Sequence, residues 1–211
     1  MKKLLNEEIT EQIKEMLSVM KEEVNLVLFT EKDSESSKIT EQLIKEIEPL
    51  SEMLAVNIYS LNEEQEAKEK YQISEAPALL VFNAKAEARG VFYGIPAGHE
   101  INTLLTTIVD ASNYAQLYEE NVIKEIKTIS QPTNIKVFVT TACPHCPGAA
   151  INALRLAQLN NNIKAEVYEV HTYGDIGQKY HVSGVPKIVI DETKELMGNQ
   201  PIEAFLEKIS N

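Results

Sequence analysis

The sequence predicts an α/β protein made of two fused units, each with a mixed central sheet and flanking helices. Three observations carry this prediction. Segments with helical and strand-like hydrophobic periods alternate along the chain of 211 residues. A stretch of the first half returns in the second half at a constant offset. The length allows two units of about 100 residues each, and the apolar fraction of 44% is enough to bury a core.

The internal repeat relates residues 70–81 to residues 179–190 without a gap. Lysine, tyrosine, serine and proline recur at the same places in both segments, and several aliphatic residues exchange only for other aliphatic residues. The offset is 186 − 77 = 109 residues, and it also relates a phenylalanine in one half to a phenylalanine in the other. Matches that keep one register over a long stretch indicate duplication. We therefore expect one unit in residues 1–113 and a second in residues 114–211.

In the first half, apolar residues at helical spacing alternate with short apolar and β-branched runs. The first helix carries Ile9, Ile13 and Met16 at helical spacing, and Gly90 supplies a turn between the last two strands. In chain order the predicted elements are helix 7–19, strand 24–30, helix 39–47, strand 54–60, helix 63–71, strands 78–82 and 91–93, and helix 101–109.

The second half repeats this order of elements. In chain order they are helix 117–129, strand 135–140, helix 143–159, strand 163–170, helix 175–180, strands 187–190 and 195–197, and helix 202–209. A strand, a crossover helix and a neighbouring strand imply parallel pairing, and the later pair of strands adds antiparallel pairing. No Gly/Pro linker appears near residues 110–116, so we expect the two units to share an interface.

Charge and hydropathy exclude several classes of function. With 20 basic and 32 acidic side chains the net charge is −12, which disfavours binding to the phosphate backbone of a nucleic acid. No apolar run approaches the roughly 20 residues that span a membrane. Lys2 and Lys3 are not followed by the apolar stretch of a signal peptide. We expect a cytoplasmic protein with no nucleic-acid or membrane partner.

The two cysteines of the chain, Cys143 and Cys146, stand together as Cys-Pro-His-Cys. They follow a predicted strand and open a predicted helix, and the free N–H groups and dipole of a helix N-terminus favour a thiolate there. Cys146 lies one turn further on, close enough to attack a mixed disulfide formed on Cys143. Pro144 suits a first helical turn, and His145 adds positive charge beside the thiolate when it is protonated.

Other interpretations of the cysteine pair are less favoured. A structural disulfide across two residues closes too small a loop to stabilise the chain much. A zinc site needs four ligands, and the further histidines His99, His171 and His181 show no paired ligand spacing, so no metal site is predicted. A metal shared between two chains and an inert buried pair remain alternatives. A redox-active dithiol is the favoured interpretation.

Three motifs give the chain a family resemblance. They are Thr141-Ala142-Cys143-Pro144-His145-Cys146-Pro147, Val185-Pro186-Lys187-Ile188-Val189-Ile190, and Tyr93-Gly94-Ile95-Pro96-Ala97-Gly98-His99-Glu100. The whole chain resembles the tandem protein disulfide oxidoreductases, also called glutaredoxin-like proteins. It is equally similar to the N-terminal domain of the flavoprotein component of alkyl hydroperoxide reductase. Both have two fused thioredoxin-like units.

The resemblance implies a protein thiol–disulfide oxidoreductase. It implies that Pro186 is cis and faces the dithiol, and that Val185 offers backbone groups to an extended substrate chain. It also implies a flavoprotein disulfide reductase and a peroxiredoxin, or another thiol protein, as partners. No G-x-G-x-x-G motif is present, so no flavin or nicotinamide cofactor is predicted. The oligomeric state stays open.

The chain departs from the family pattern in two places. Ser34 and Ser37 stand 109 residues before the cysteines, so the first unit cannot form a disulfide, and Asp33 and Ser34 also suit a helix N-cap. The buried aspartate of thioredoxins, six residues before the first cysteine, is replaced by Val137. By resemblance, Glu100 from the first unit is our candidate for proton transfer with Cys146. Its alternative is an ordinary first-turn glutamate.

A competing function is a non-catalytic module. In that case the turns at Pro77 and Pro186 bind extended peptides, and the two cysteines act as a redox switch or as metal ligands. Turnover that depends on Cys143 distinguishes the enzyme from the module.

Overall fold

The computed structural model describes residues 3–113 and 117–210. The predicted boundary between the units falls at residue 114, outside the described residues. The helices are α1 Glu7–Leu17, α2 Glu35–Ile47, α3 Gln65–Tyr71, α4 Ile101–Asn113, α5 Glu120–Thr128, α6 Cys146–Leu159, α7 Gly174–Lys179 and α8 Ile202–Ser210. The strands are β1 Val24–Thr30, β2 Leu54–Ser60, β3 Ala78–Asn83, β4 Gly90–Tyr93, β5 Thr133–Val139, β6 Ile163–Glu169, β7 Lys187–Ile190 and β8 Lys194–Met197. Short 3₁₀ turns cover Glu48–Leu50 and Gly98–Glu100.

The strands form one sheet in the order β2-β1-β3-β4-β6-β5-β7-β8. Within each half the first two strands are parallel and the last two are antiparallel, as predicted. β4 of the first half pairs in parallel with β6 of the second half. The two halves therefore share a continuous sheet, which confirms the expected interface and the predicted α/β class.

The two faces of the sheet differ in their covering. One face buries a large aliphatic core to which α1, α2, α4, α5, α6 and α8 contribute. The other face carries α3 and α7 and a smaller cluster rich in aromatic rings. There Tyr93 of β4 and Tyr168 of β6 stack with their ring centroids 4.7 Å apart. This contact crosses the join between the halves on the face opposite the long helices.

Four helices start two or more residues away from the sequence prediction. α3 begins at Gln65 instead of residue 63, and α5 at Glu120 instead of residue 117; the other two have a physical cause in single residues. α2 begins at Glu35 instead of residue 39, because Ser34 caps it and accepts a hydrogen bond from the Ser37 N–H. The polar first turn hid this start from a hydrophobic pattern. α6 begins at Cys146 instead of residue 143. Pro147 has no N–H to donate to the Cys143 carbonyl, so the α-helical bonding pattern cannot start at Cys143.

Within the described ranges, no helix combines the length and the hydrophobicity that crossing a membrane requires.

Candidate active site

The cysteine pair lies between the end of β5 and the start of α6. Cys143 and Cys146 form a disulfide with their Cα atoms 5.5 Å apart, so the structure represents the oxidised state. The two cysteines differ in access: Cys143 is 9% exposed and Cys146 is 0% exposed. A partner approaching from solvent can therefore reach Cys143 and not Cys146.

Both residues between the cysteines point to solvent. Pro144 and His145 are exposed, and His145 is the N-cap position of α6. In the reduced protein the positive end of the α6 dipole lies next to the cysteines and favours a thiolate. The structure thus places Cys143 before the first turn of the helix and Cys146 at its first residue, and keeps the electrostatic setting that the sequence predicts.

The second turn of the site brings Val185 and Pro186 to the dithiol. The Val185–Pro186 peptide bond is cis, and the Val185 carbonyl oxygen lies 3.8 Å from the Cys143 sulfur. Pro186 is buried, whereas Val185 is partly exposed. The Gly198 N–H donates to the Pro186 carbonyl at 2.8 Å, which fixes the turn to the end of β8. Of the predicted substrate-binding pair, the structure thus brings Val185 to Cys143, and Pro186 follows it in the same turn.

A segment of the first half closes against the loop that leads to the cysteines. The His99 N–H donates to the Thr141 carbonyl at 2.8 Å. Gly98 has a φ of +59°, and a Cβ at this position would lie 2.3 Å from the Thr141 oxygen. A glycine is required here on both counts. The 3₁₀ turn that ends in Glu100 is therefore held against Thr141, which precedes Cys143 by two residues in the chain.

Glu100 is completely buried, with 0% of its surface exposed. Its Oε2 accepts a hydrogen bond from the Thr103 hydroxyl at 2.7 Å, and its Oε1 has no partner among the described residues. Burial is the main reason that the pKa of Glu100 is raised to about 7; the Thr103 hydrogen bond lowers it, and the negative charge of Glu169 makes a smaller upward contribution. The turn that carries Glu100 packs against α4 and α6.

A second buried carboxylate lies near this turn, and the sequence reasoning missed it. Glu169 is the last residue of β6 and is 2% exposed. Its oxygens accept hydrogen bonds from His171 and Thr172. The signal was available, because the sequence predicts that β5 and β6 are parallel, so their carboxyl ends meet at the edge of the sheet where the cysteines lie.

The corresponding place in the first half holds serines. The Ser34 hydroxyl caps α2, and the Ser37 hydroxyl accepts from the Glu31 N–H at 3.0 Å. These contacts agree with the predicted capping role of Ser34, whereas Asp33 does not supply the cap. The Ala76–Pro77 bond is cis, and the Pro77 carbonyl accepts from the Gly94 N–H at 3.0 Å. The turn of the second half is thus repeated without a dithiol.

In the described part of the chain, no group of three or more His, Cys, Asp or Glu side chains is arranged to hold a metal ion. His99, His171 and His181 are exposed. His171 contacts Glu169 through its Nδ1 atom at 3.0 Å.

Comparisons with known proteins agree with this geometry. The thioredoxin domain family matches residues 133–211. The F component of alkyl hydroperoxide reductase from Staphylococcus epidermidis is 26% identical over 210 residues, which is 99% of this chain. The Staphylococcus aureus protein is 27% identical over the same length. The chain spans 38% of the length of these relatives.

Two solved structures superpose on nearly the whole chain. The N-terminal domain of the alkyl hydroperoxide reductase AhpF from Enterococcus faecalis has a TM-score of 0.90 and 21% identity, covering 97% of this chain and 99% of that one. A protein disulfide oxidoreductase from Aeropyrum pernix has a TM-score of 0.89 and 25% identity, covering 97% and 91%. These likenesses confirm the predicted thioredoxin-like fold and the predicted resemblance.

Proposed function

Since the chain is a thioredoxin-like disulfide oxidoreductase, we propose that its Cys143–Cys146 couple relays electrons from a flavoprotein disulfide reductase to a peroxiredoxin or another protein disulfide. The names of the relatives support this direction, because they are components of a peroxide reductase. A cytoplasmic location, where thiols are kept reduced, belongs to the same proposal.

The observation that carries the proposal is the unequal access of the two sulfurs. Cys143, beside the Val185 carbonyl, keeps a small exposed fraction of 9%, and Cys146 is completely enclosed. Thiol–disulfide exchange needs one sulfur that a partner can reach and a second that resolves the mixed disulfide. Cys143 is therefore the nucleophile and Cys146 the resolving cysteine, with the Val185 backbone positioned to pair with an extended partner segment.

The proposed cycle has two half-reactions that balance. When the reduced chain acts, the Cys143 thiolate attacks one sulfur of the partner disulfide and expels the other as a thiolate. Cys146 then gives up its proton and attacks Cys143, which releases the partner's first sulfur. Two electrons have passed to the partner, and the Cys143–Cys146 disulfide is formed. For recharging, a reductase thiolate attacks Cys143, and Cys146 leaves as a thiolate that takes up a proton. The reductase's second thiol then resolves the mixed disulfide on Cys143.

Glu100 is the proposed source and acceptor of the proton on Cys146. With its pKa raised to about 7, Glu100 can give a proton to the departing Cys146 thiolate and take one back when Cys146 attacks. Its burial and its position on a turn packed against α6 support this role over that of an exposed first-turn glutamate.

Trapping of the mixed disulfide tests the proposal. Cys146→Ser should accumulate a covalent adduct with an oxidised peroxiredoxin, because the resolving sulfur is missing. Cys143→Ser should form no adduct and should lose the reduction of insulin at least about 10³-fold, since the nucleophile itself is gone. Adducts formed equally by both variants would contradict the assignment of the two roles.

A second candidate, a non-catalytic peptide-binding module, is supported by the turn at Pro77. This turn is fixed by a glycine N–H in the same way as the turn at Pro186, although the first half carries no cysteines. Turnover and partner binding, measured in the wild type and in Cys143→Ser, distinguish the two functions. Cys143→Ser should leave partner binding intact and abolish turnover if the chain is an enzyme, whereas a chain that shows no turnover even as the wild type would favour the module.

A further inference from the structure

Glu169 occupies an unusual position for a carboxylate, at the buried end of a central strand. Its Oε1 accepts from the His171 N–H at 2.9 Å and lies 3.0 Å from His171 Nδ1. Its Oε2 accepts from the Thr172 N–H at 2.9 Å and from the Thr172 hydroxyl at 2.7 Å. Three hydrogen-bond donors and the contact with the His171 ring surround the two oxygens of this buried carboxylate. We refer to Glu169, His171 and Thr172 as the carboxylate clamp.

The carboxylate clamp lies against the segment that carries Glu100. Glu169 pairs with Val139, the last residue of β5, in the register of the sheet. A Cβ on Gly94 would lie 2.6 Å from the Glu169 Cβ, so the chain passes directly over Glu169 as it enters the segment 94–100. The glycine allows this close approach, which fixes Glu169 relative to the turn that ends in Glu100.

The two carboxylates have very different surroundings. Glu169 accepts three hydrogen bonds, whereas Glu100 has the single Thr103 hydroxyl and one oxygen without a partner among the described residues. When two carboxylates influence each other, the one with fewer donors retains the proton. The negative charge of Glu169 raises the pKa of Glu100 in addition to the effect of burial.

We propose that Glu169, held by His171 and Thr172, is a positioning residue that sets the protonation state of Glu100. The consequence for the dithiol rests on the proposed function, in which Glu100 exchanges a proton with Cys146. The clamp would then determine the pH range in which the disulfide is readily reduced.

Other charged groups near Glu100 are accounted for. On α4 and α6, the two helices that pack against its turn, Asp110 and Arg155 bind each other through two hydrogen bonds. The cysteines of α6 and its preceding loop carry no charge in the disulfide form. His99, next to Glu100 in the chain, is exposed. Among the described residues, Glu169 is thus the buried charge available to act on Glu100.

The test follows the carboxyl carbon of Glu100 by NMR during a pH titration of the oxidised full chain, with Glu100→Gln identifying the signal. Glu169→Gln should lower the pKa of Glu100 by about one unit, because a neighbouring negative charge is removed. His171→Ala should raise it, because the charge on Glu169 is then less compensated. Glu166→Gln is the matched control: Glu166 lies on the same strand but on the opposite face, paired with Lys136 and Lys164, and should leave the pKa unchanged.

Opposite shifts of the Glu100 pKa in Glu169→Gln and His171→Ala would support the proposal. A simple loosening of the loop would shift this pKa in the same direction in both variants. An unchanged titration of Glu100 in folded Glu169→Gln would overturn it. If Glu169→Gln does not fold, the absence of an upward shift in His171→Ala would overturn it instead. The rate at which dithiothreitol reduces the disulfide, measured against pH in Glu100→Gln, separates the two proposals. A profile equal to that of the wild type would refute the proton-transfer role of Glu100 and leave its electrostatic control by Glu169 standing.

Discussion

At the scale of single residues, the site depends on differences between chemically similar groups. Cys143 and Cys146 have the same side chain, yet only Cys143 reaches the surface. Glu100 and Glu169 are both buried carboxylates, yet Glu100 has a single hydrogen-bond donor and Glu169 has three. The two cysteines are distinguished by their exposure and the two glutamates by their hydrogen-bond donors. Neither difference can be read from the spacing of residues along the sequence.

Replacing Glu100 should change the pH dependence of stability. The folded-state pKa of about 7 lies above the ordinary value of 4.5, so the folded chain holds a proton that the unfolded chain has lost between these two pH values. Stability of the wild type therefore falls as pH rises from about 4.5 to 7 and levels off above. Glu100→Gln has no such proton, and its stability should exceed that of the wild type by up to about 3 kcal/mol above pH 7.

Urea unfolding of both proteins at pH 4, 5.5, 7 and 8 measures this difference. It should be smallest at pH 4 and should grow up to pH 7. A difference that stays constant across the series would mean that Glu100 titrates at its ordinary pKa in the folded chain.

At the scale of elements, the site is assembled where four pieces of chain meet. The carboxyl ends of β5 and β6 supply the dithiol loop and Glu169, the turn before β7 supplies Val185, and the segment 94–100 arrives from the first half. The segment is held by the bond from His99 to Thr141. Its close packing leaves no room for a side chain at Gly98.

Gly98→Ala should therefore destabilise the chain and impair the site. The positive φ costs about 1–2 kcal/mol for alanine, and the contact of 2.3 Å with the Thr141 oxygen adds a backbone clash, so the loss in unfolding free energy should reach about 3 kcal/mol. Displacement of Thr141 should also slow reduction of the disulfide. Gly174→Ala is the matched control, because a Cβ at that position meets no atom within 4 Å. Equal unfolding free energies for the two variants would show that the segment does not press on the dithiol loop.

Much of this assembly was predictable from sequence. The repeat and the hydrophobic periods predicted every strand, because strands in the sheet interior are runs of apolar and β-branched residues such as β1 and β7. The helix starts were harder to predict, because Ser34 adds one hydrogen bond and Pro147 removes one. Neither effect appears as a hydrophobic pattern. Glu169 escaped notice because a single glutamate at a strand end is typical of an exposed residue. Only the three-dimensional packing over Gly94 shows that it is buried.

At the scale of the whole molecule, the two halves are joined by more than the shared sheet. α4 of the first half packs against α6 of the second, and Arg155 binds Asp110 with Nε–Oδ2 and Nη2–Oδ1 distances of 2.6 and 3.2 Å. Charge is distributed unevenly between them. Residues 1–113 contain 11 basic and 21 acidic side chains, a net charge of −10, whereas residues 114–211 contain 9 and 11, a net charge of −2. The half without a dithiol thus supplies most of the field that would steer a basic partner.

The joined architecture predicts that the halves unfold together. Asp110→Asn leaves Arg155 without its charged partner at the join and should lower the unfolding free energy by about 2 kcal/mol. Hydrogen exchange should then report equal losses of protection in β1 and β5, one from each half. Glu41→Gln is the control, since its ion pair with Lys45 is on the surface and should contribute less than about 0.5 kcal/mol. Loss of protection confined to one of the two strands would mean that the halves unfold independently.

The reduction potential of the Cys143–Cys146 couple tests the proposed electron relay most directly. Equilibration of the full chain with glutathione and dithiothreitol buffers, followed by mass counting of alkylated thiols, measures it without any assumption about partners. A chain that passes electrons to protein disulfides should have a potential near that of thioredoxin, about −270 mV. A potential near −120 mV, as in strongly oxidising proteins, would contradict the relay and mark the chain as an oxidant.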